Sequence, residues 1–439
     1  MLIPVYVRHC IDALELAGHA AYCVGGCVRD AMLGLVPHDY DLCTDATPEQ
    51  MKQIFSGQRL VLAGEKHGTV AVVTDSGPVE ITTFRTEGAY TDNRHPGWVT
   101  FVPRIEEDLA RRDFTVNAMA YSPSRGFADP FCGQQDLHNK CLRAVGDPTL
   151  RFQEDSLRIL RGVRFEVRFG LTPEHATLRA MEAQAPLMDN LARERVFEEL
   201  CKLLPLLTAE ELIRYRCILA QVIPELRPTI GFDQHSPHHA YDLYTHIAHV
   251  TAAVPGDLAL RWAALLHDIG KIPTYTTDET GRGHFYGHAK AGAAMAEEVL
   301  RRLKAPTALR DQVVELIGQH MTRLEPDKKL LRRWLGKLGT DKVLALLALQ
   351  EADMGSKGTG NREEMDQFPQ LRAVLDDVLR EEACLKVTDL NIRGSDLAAL
   401  GFQGPGIGQC LAHLLEQVQN EQLPNRAEDL LAEAKKQLK

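Results

Sequence analysis

The sequence predicts an α+β fold: a small mixed-sheet head followed by helices alone. Three observations lead to it. From Ala20 to about Tyr121, short apolar runs (AYCVGG, TVAVVT, VEITTF, WVTFV) alternate with polar turns and one helical pattern. From Leu150 to about Leu207, apolar residues recur at helical spacing with few strand signals. Beyond a pause at GFDQHSPHH, a histidine-rich helical region runs to about Gly355. A chain of 439 residues is also too long for a single growing core, so division into domains is expected.

Taken in order, the opening MLIPVYVRHCIDALELAG lacks the basic flank, long apolar stretch and cleavage site of a secretory signal and reads as a helix that opens the fold. The head is assigned to residues 1–140 and closes near the turn-like PFCGQQDL; a helical neck follows at 141–207. Residues 208–360 comprise a linker and the histidine-rich region, ending on the loop-like MGSKGTGN. The tail, 361–439, is helical and interrupted by GFQGPGIG; Gly404, Gly406 and Gly408 follow no strand, so they mark a tight turn before a helix rather than a phosphate loop. No internal repeat or low-complexity tract interrupts the chain.

Composition narrows the function classes. With 44% hydrophobic and 25% charged residues, and no run near the roughly 20 apolar residues of a membrane span, the chain is expected to act off the membrane, in the cytoplasm. Ten cysteines are scattered, with Cys23 and Cys27 the closest two, and are expected to be reduced and mostly buried. A formal charge of −10 argues against a generally basic nucleic-acid coat, so RNA binding requires a local arginine-rich groove. The oligomeric state is left open.

The head carries the most informative cluster, Gly25-Gly26-Cys27-Val28-Arg29-Asp30 followed by His38-Asp39-Tyr40-Asp41. Glycines after an apolar strand let backbone N–H groups approach a triphosphate, and Arg29 adds charge-assisted hydrogen bonds. In an extended segment Asp39 and Asp41 point the same way, and paired carboxylates of this kind bind Mg²⁺. Two such ions would activate an attacking 3′ hydroxyl and neutralise departing pyrophosphate. Glu80, in VEITTFR, is the candidate third acid, because a carboxylate among β-branched strand residues is otherwise costly to place. A solvated turn at DYD and a surface role for Glu80 fit the motif taken alone.

These motifs do not stand alone. GGCVRD, DYD, the run TFRTEGAYTDNRHPGWVTFVPRIEEDLARRDFTVNAMA, DPFCGQQDL, FQEDSLRILRGVRF and RERVFEEL follow one another through the first half of the chain, and in that order they resemble the class II CCA-adding enzyme and poly(A) polymerase family. The resemblance implies a nucleotidyltransferase head that extends the 3′ end of tRNA from CTP and ATP, with Mg²⁺ held by Asp39 and Asp41. It implies nucleotide contacts from Gly26 and Arg29, places Arg112 and Asp113 at the same site with Asn117 supporting the turn, and makes Arg85 to Pro103 a flexible loop. A plain surface hairpin is the alternative for that loop.

Within the neck, Asp155 and Arg158 of EDSLRILRGVRF lie one turn apart and are expected to be neighbours on the helix surface. A carboxylate only accepts hydrogen bonds and a guanidinium only donates them, so the two can read a Watson–Crick edge; an ordinary surface ion pair is the other reading. The resemblance gives the pair to incoming CTP and ATP. Arg161 and Arg164 continue at three-residue steps and suit phosphate or base contacts. In RERVFEEL, Glu194, Arg195 and Glu198 are expected to orient a helix rather than take part in the chemistry.

His246, His267-Asp268 in LLHDIGK, His288, His320 and Asp353 resemble the HD superfamily. That resemblance implies a divalent metal, its identity open, on His246, His267, Asp268 and Asp353; a mixed imidazole and carboxylate set suits a transition metal or Mg²⁺, and a bound water could attack a phosphoester. His288 and His320 are candidates for a second metal or a phosphate contact. The segment from LNIRGSDL to the end resembles the family's closing unit and implies a cradle for the tRNA body. The preferred reading is full CCA addition. Addition of only A or only C, an HD phosphohydrolase with a vestigial head, and a non-catalytic RNA scaffold are the alternatives.

Overall fold

A computed structural model of the chain describes residues 1–88, 99–236, 240–358, 365–381 and 384–438. They form two compact units, Met1–Leu207 with Arg214–Arg227, and Thr208–Ile213 with Pro228–Lys439.

The first unit opens with α1 (Val5–Leu16), which buries Val7, Ile11 and Leu14, a spacing that keeps them on one helix face. There follow β1 (Ala21–Val24), α2 (Gly26–Met32), β2 (Asp41–Thr44), α3 (Pro48–Ile54), β3 (Arg59–Val61), β4 (Thr69–Thr74) and β5 (Gly77–Thr83). Next come β6 (Arg85–Glu87), β7 (Val99–Phe101), α4 (Ile105–Ala110), β8 (Ala120–Ser122), β9 (Gly126–Ala128) and α5 (Gly133–His138). Seven of these strands form one sheet in the order β3-β4-β5-β2-β1-β8-β9. Neighbours are antiparallel except β2 and β5, which run parallel at its middle and set Asp41 opposite Glu80. Val24, Cys43, Phe84, Leu109 and Ala120 pack in the core of this head.

Two details depart from expectation. PFCGQQDL is only half a turn: its second half is α5, started by the Asp129 carboxylate, which accepts the N–H groups of Gly133 at 2.7 Å and Gln134 at 3.0 Å. The arms of the expected loop, β6 and β7, pair as an antiparallel ribbon with Arg85 opposite Phe101, while residues 89–98 lie outside the described residues.

The neck contains β10 (Cys141–Leu142), α6 (Pro148–Glu154), α7 (Leu157–Phe169), β11 (Thr172–Pro173), α8 (His175–Gln184) and α9 (Arg193–Leu203). Helices dominate, but β10 and β11 add a short parallel pair. EDSLRILRGVRF is not one helix. It breaks at Asp155, whose φ of −146° and ψ of 101° are extended, and restarts at Leu157. Helices α10 (Ala209–Arg214) and α11 (Arg216–Val222) follow.

The second unit contains α12 (Leu243–Ala253), α13 (Leu258–Leu266), α14 (Lys271–Thr274), α15 (His288–Arg302), α16 (Thr307–Gln319), α17 (Lys328–Leu338) and α18 (Thr340–Gly355). Every residue of α13 from Ala259 to Leu266 is buried, so the His267-Asp268 pair that follows it is delivered into the interior. A Cβ at Gly270 would stand 2.2 Å from the backbone oxygen of His288, which shows how closely the start of α15 packs on this segment. The tail adds a helix at Gln367–Arg380, and then Gly394–Ala399, Pro405–Gln419 and Ala427–Gln437, which enclose a core that includes Leu390, Leu397, Leu414 and Leu430. Gly404, with φ +54°, ends the expected turn and the helix begins at Pro405. All ten cysteines are free and six of them buried, and among the described residues no helix is long and apolar enough to cross a membrane.

Candidate active site and metal centre

The first unit holds a cleft of about 860 Å³ whose lining includes Gly26, Asp41, Glu80, Arg112, Asp155 and Arg158. Asp41 opens β2 and Glu80 lies on β5, Cα partners across the parallel pair, so the sheet itself sets the two carboxylates side by side. Enclosure within the cleft, and then the Glu80 charge, push the Asp41 carboxyl above the ordinary aspartate range, against the pull of Arg112. A hard divalent cation between such acids would relieve this repulsion, and the all-oxygen donor set fits Mg²⁺. Asp39 sits differently. It precedes the strand, is largely exposed, meets His38 at 2.9 Å, and is not among the residues that line the cleft.

The same cleft is rich in arginines, Arg29, Arg112, Arg158 and Arg161 among them. Gly25 has φ +73°, and a Cβ there would fall 2.8 Å from the Arg112 guanidinium, so glycine is what lets the turn and that arginine share the space. Arg29 is buried, pairs with Asp30 at 2.6 Å, donates to Asn117, and lies 4.2 Å over the Phe169 ring. Asn117 also donates to Asp113 at 3.0 Å, so it links Arg29 to the Asp113 carboxylate. Burial alone would raise the Asp113 carboxyl, but Arg161, 2.7 Å away, and the Asn117 bond hold it well below the usual range.

The neck delivers its residues through the helix break. Asp155 and Arg158 are not neighbours on one helix surface, because the continuous helix needed for that ends at Glu154. Asp155 accepts from Leu157 N–H at 3.1 Å and from Arg195 at 2.7 Å. Arg158 is held by Glu154 at 2.8 Å and by the backbone oxygens of Arg151 and Arg111 at 3.1 and 3.0 Å. Each is anchored separately, and both line the cleft. Arg161 and Arg164 also line it, Arg161 bound to Asp113 and Arg164 to the buried Glu199 at 2.5 Å. Sequence reasoning missed Arg111, Arg195 and Phe165 as lining residues. RERVFEEL held the signal for Arg195, but its partner Asp155 is distant in sequence.

The second unit holds a centre built from five elements. His246 comes from α12, His267 and Asp268 from the end of α13, His288 from the first turn of α15, His320 from the end of α16, and Asp353 from α18. His246 lies 3.0 Å from Asp353 and 3.5 Å from Asp268; His267 lies 3.2 Å from Asp268. His288 and His320 reach the other oxygen of Asp268 at 3.6 and 3.9 Å and stand 3.2 Å from each other. Each imidazole is oriented the same way. Nδ1 of His246, His267, His288 and His320 meets the backbone oxygens of Ser356, Ala264, Phe285 and Ile317, at 3.3, 2.8, 2.8 and 2.7 Å. A carbonyl only accepts, so Nδ1 carries the proton and the Nε2 lone pairs turn toward Asp268, as in metal-binding histidines whose other ring nitrogen donates to a backbone carbonyl. Burial pushes His320 down to about 4, which keeps its ring neutral. Lys271, 2.8 Å from Asp268, is the cation already present. Two ligand triads result, His246–His267–Asp268 and Asp268–His288–His320, each with ligand atoms within 4.8 Å of one another, and their mixed nitrogen and oxygen donors fit a divalent metal. An opening of about 260 Å³ lined by Lys271, His288, His320 and Lys357 gives access.

Residues 21–143 match the Poly A polymerase head domain family, 170–229 the family described as the probable RNA and SrmB-binding site of polymerase A, and 244–354 the HD domain family. The chain is 33% identical over 427 residues to the CCA-adding enzyme of Latilactobacillus sakei subsp. sakei (strain 23K), a match that covers 97% of this chain and 96% of that one. A CCA-adding enzyme of Streptococcus suis (strain 05ZYH33) is 49% identical over 194 residues, 44% of this chain and 48% of that one. Among solved structures, the Bacillus stearothermophilus CCA-adding enzyme in complex with CTP superposes with a TM-score of 0.71 at 26% identity, over 100% of this chain and 98% of that one. The Thermotoga maritima CCA-adding enzyme complexed with tRNA shares the fold, with a TM-score of 0.63 at 20% identity, over 100% of this chain and 97% of that one.

Proposed function

Because the chain belongs to the CCA-adding enzyme family and is a nucleotidyltransferase, we propose that it completes the 3′ end of tRNA with CCA from CTP and ATP, in the cytoplasm, at the cleft floored by Asp41 and Glu80. The observation that carries this reading is the register of the parallel strands, which sets those two acids together in a cleft that Asp155, Arg158 and several further arginines also line. Asp41 and Glu80, with Asp39 brought in from the segment before β2, are the residues to hold Mg²⁺. Two such ions, when bound, would supply activation of the tRNA 3′ oxygen for attack on the α-phosphorus and charge neutralisation for the pyrophosphate that leaves. Gly26 admits the triphosphate to the backbone, and Arg29 and Arg112 hold its charge.

Base choice follows from donor and acceptor chemistry. Cytosine and adenine both present an amino donor beside a ring-nitrogen acceptor, whereas uracil and guanine present a carbonyl where the amine would be. Asp155 accepts from the amine and Arg158 donates to the ring nitrogen, so one fixed pair serves both substrates and rejects the other two. A carboxylate has about four lone-pair positions, so the bonds from Arg195 and Leu157 leave Asp155 capacity to spare. The tail from residue 361 onward is assigned to the tRNA body.

The test is incorporation of labelled CTP and ATP, separately and together, into tRNA transcripts that end before the first C, after the second C and after the A. Ordered addition of two C and one A is expected. Addition of A only to the transcript ending in CC would reassign the chain to A addition, and addition of C alone to C addition.

A second activity has its own support, the convergence of four imidazoles on Asp268. His246, His267, Asp268 and Asp353 would hold a divalent metal, with His288 and His320 extending the site, and the bound metal would supply a water nucleophile for phosphoester hydrolysis. Metal analysis of the purified chain, with hydrolysis of p-nitrophenyl phosphate assayed under Mg²⁺, Mn²⁺, Co²⁺ and Ni²⁺, decides it. Neither metal nor turnover under any of them would remove this reading.

A further inference from the structure

Among the arginines that line the cleft, three come together from two parts of the first unit, Arg29 on α2 of the head and Arg161 and Arg164 on α7 of the neck. Like charges brought together in partly dry surroundings repel, so the cluster needs something to gather it. Each arginine has a polar anchor of its own: Asp30 for Arg29, Asp113 for Arg161, Glu199 for Arg164. What the three share is a ring. The Phe165 centroid lies 5.3 Å from the Arg29 guanidinium carbon, 5.1 Å from that of Arg161 and 4.6 Å from that of Arg164. The ring is 4% exposed, lines the cleft, and is held edge-to-face by Phe114 at 5.8 Å and 87°.

We propose that Phe165 is a positioning residue for nucleotide binding, whose electron-rich ring gathers Arg29, Arg161 and Arg164 into one cluster that faces the incoming nucleotide. A guanidinium packed on a ring keeps its edge N–H groups free to donate in its own plane, so the ring fixes direction as well as distance. A leucine would fill much of the same space without the quadrupole. The proposal rests on the assignment of the cleft as the nucleotide site.

The test replaces Phe165 in the full chain with 4-fluoro-, 3,5-difluoro- and 3,4,5-trifluorophenylalanine, which drain the ring face progressively and change its volume little. KM and kcat for CTP and ATP are measured on tRNA transcripts, with the thermal midpoint recorded for each variant. KM should climb stepwise, by about tenfold across the series, with kcat within about twofold and the midpoint nearly unchanged. Phe165→Leu should raise KM to a similar degree, and Phe165→Tyr should leave it close to wild type. A flat KM across the fluorinated series overturns the proposal, whether or not Phe165→Leu folds. Asp41→Ala, run alongside, separates the two levels. Incorporation that survives this change overturns the cleft assignment itself, whereas lost incorporation with a flat series overturns only the role of Phe165.

Discussion

A carboxylate that reads bases must be held still without being used up. Asp155 meets this through Arg195, whose two nitrogens approach its two oxygens at 2.7 and 3.4 Å, and through the Leu157 N–H. Arg195→Ala leaves the backbone bond but frees the carboxylate to swing, so KM for CTP and ATP should rise by about tenfold and UTP misincorporation should increase, with the thermal midpoint little changed. Unaltered steady-state kinetics with all three nucleotides would show that Arg195 does not hold Asp155 for this purpose. Asp113 is a structural counterpart. Buried with Arg161 and Asn117, its folded-state pKa is depressed, so its contribution to stability is present above the unfolded aspartate value of about 3.9 and is lost as pH falls toward the depressed value. Asp113→Asn should therefore cost about 2 kcal/mol in urea unfolding at pH 7, since it leaves the partly buried Arg161 guanidinium without its charge partner. The gap to wild type should narrow as the pH drops below about 4; a gap that stays constant or widens on acidification would mean the ion pair is not its source.

Elements place these residues, and not all of the placement could be read in advance. Gly270 is a case where packing between elements decides: a methyl group there meets backbone of His288 and Gly292 at 2.2 to 2.8 Å, and backbone cannot swing aside as a side-chain tip can. Gly270→Ala should shift the first turn of α15, lower the thermal midpoint by several degrees, roughly what 1–3 kcal/mol of overpacking produces, and weaken metal retention through His288. Wild-type metal content and midpoint would show that α15 yields at no cost. The strands of the head were legible because a half-buried strand shows itself by a period of two, as in TVAVVT and VEITTF. That Asp41 lies opposite Glu80 was not, because register between distant strands is set by tertiary pairing. The break at Asp155 was hidden for a related reason: the apolar spacing of FQEDSLRILRGVRF runs on across it, while the residue itself turns extended. α5 was hidden because six residues are too few to show a helical period. Phe165 reads as an ordinary core aromatic until the three arginines around it are seen.

Across the whole molecule, the cleft of Asp41 and Glu80 and the histidine centre share no residue, and the residues of each fall within one of the two compact units. Their donors differ in kind: an all-oxygen pair that suits Mg²⁺, against a nitrogen-rich set that suits transition metals. Two independent chemistries on one chain should then come apart under mutation and under exchange of metal. Asp41→Ala should reduce nucleotide incorporation by about a thousandfold or more, since it removes a ligand of the ion at the reacting centre, while metal at the histidine centre and any hydrolysis it supports persist. His267→Ala should do the reverse, with incorporation within about twofold of wild type and metal content at the second centre lost. Chelation should abolish both activities, and Mg²⁺ alone should restore incorporation to wild type and to His267→Ala alike. Paired measurements of incorporation, hydrolysis and metal content on the two variants check this in one experiment. If folded His267→Ala lost incorporation together with its metal, the two centres would be coupled, and the histidine centre would have to be counted as part of the machinery that builds the tRNA end.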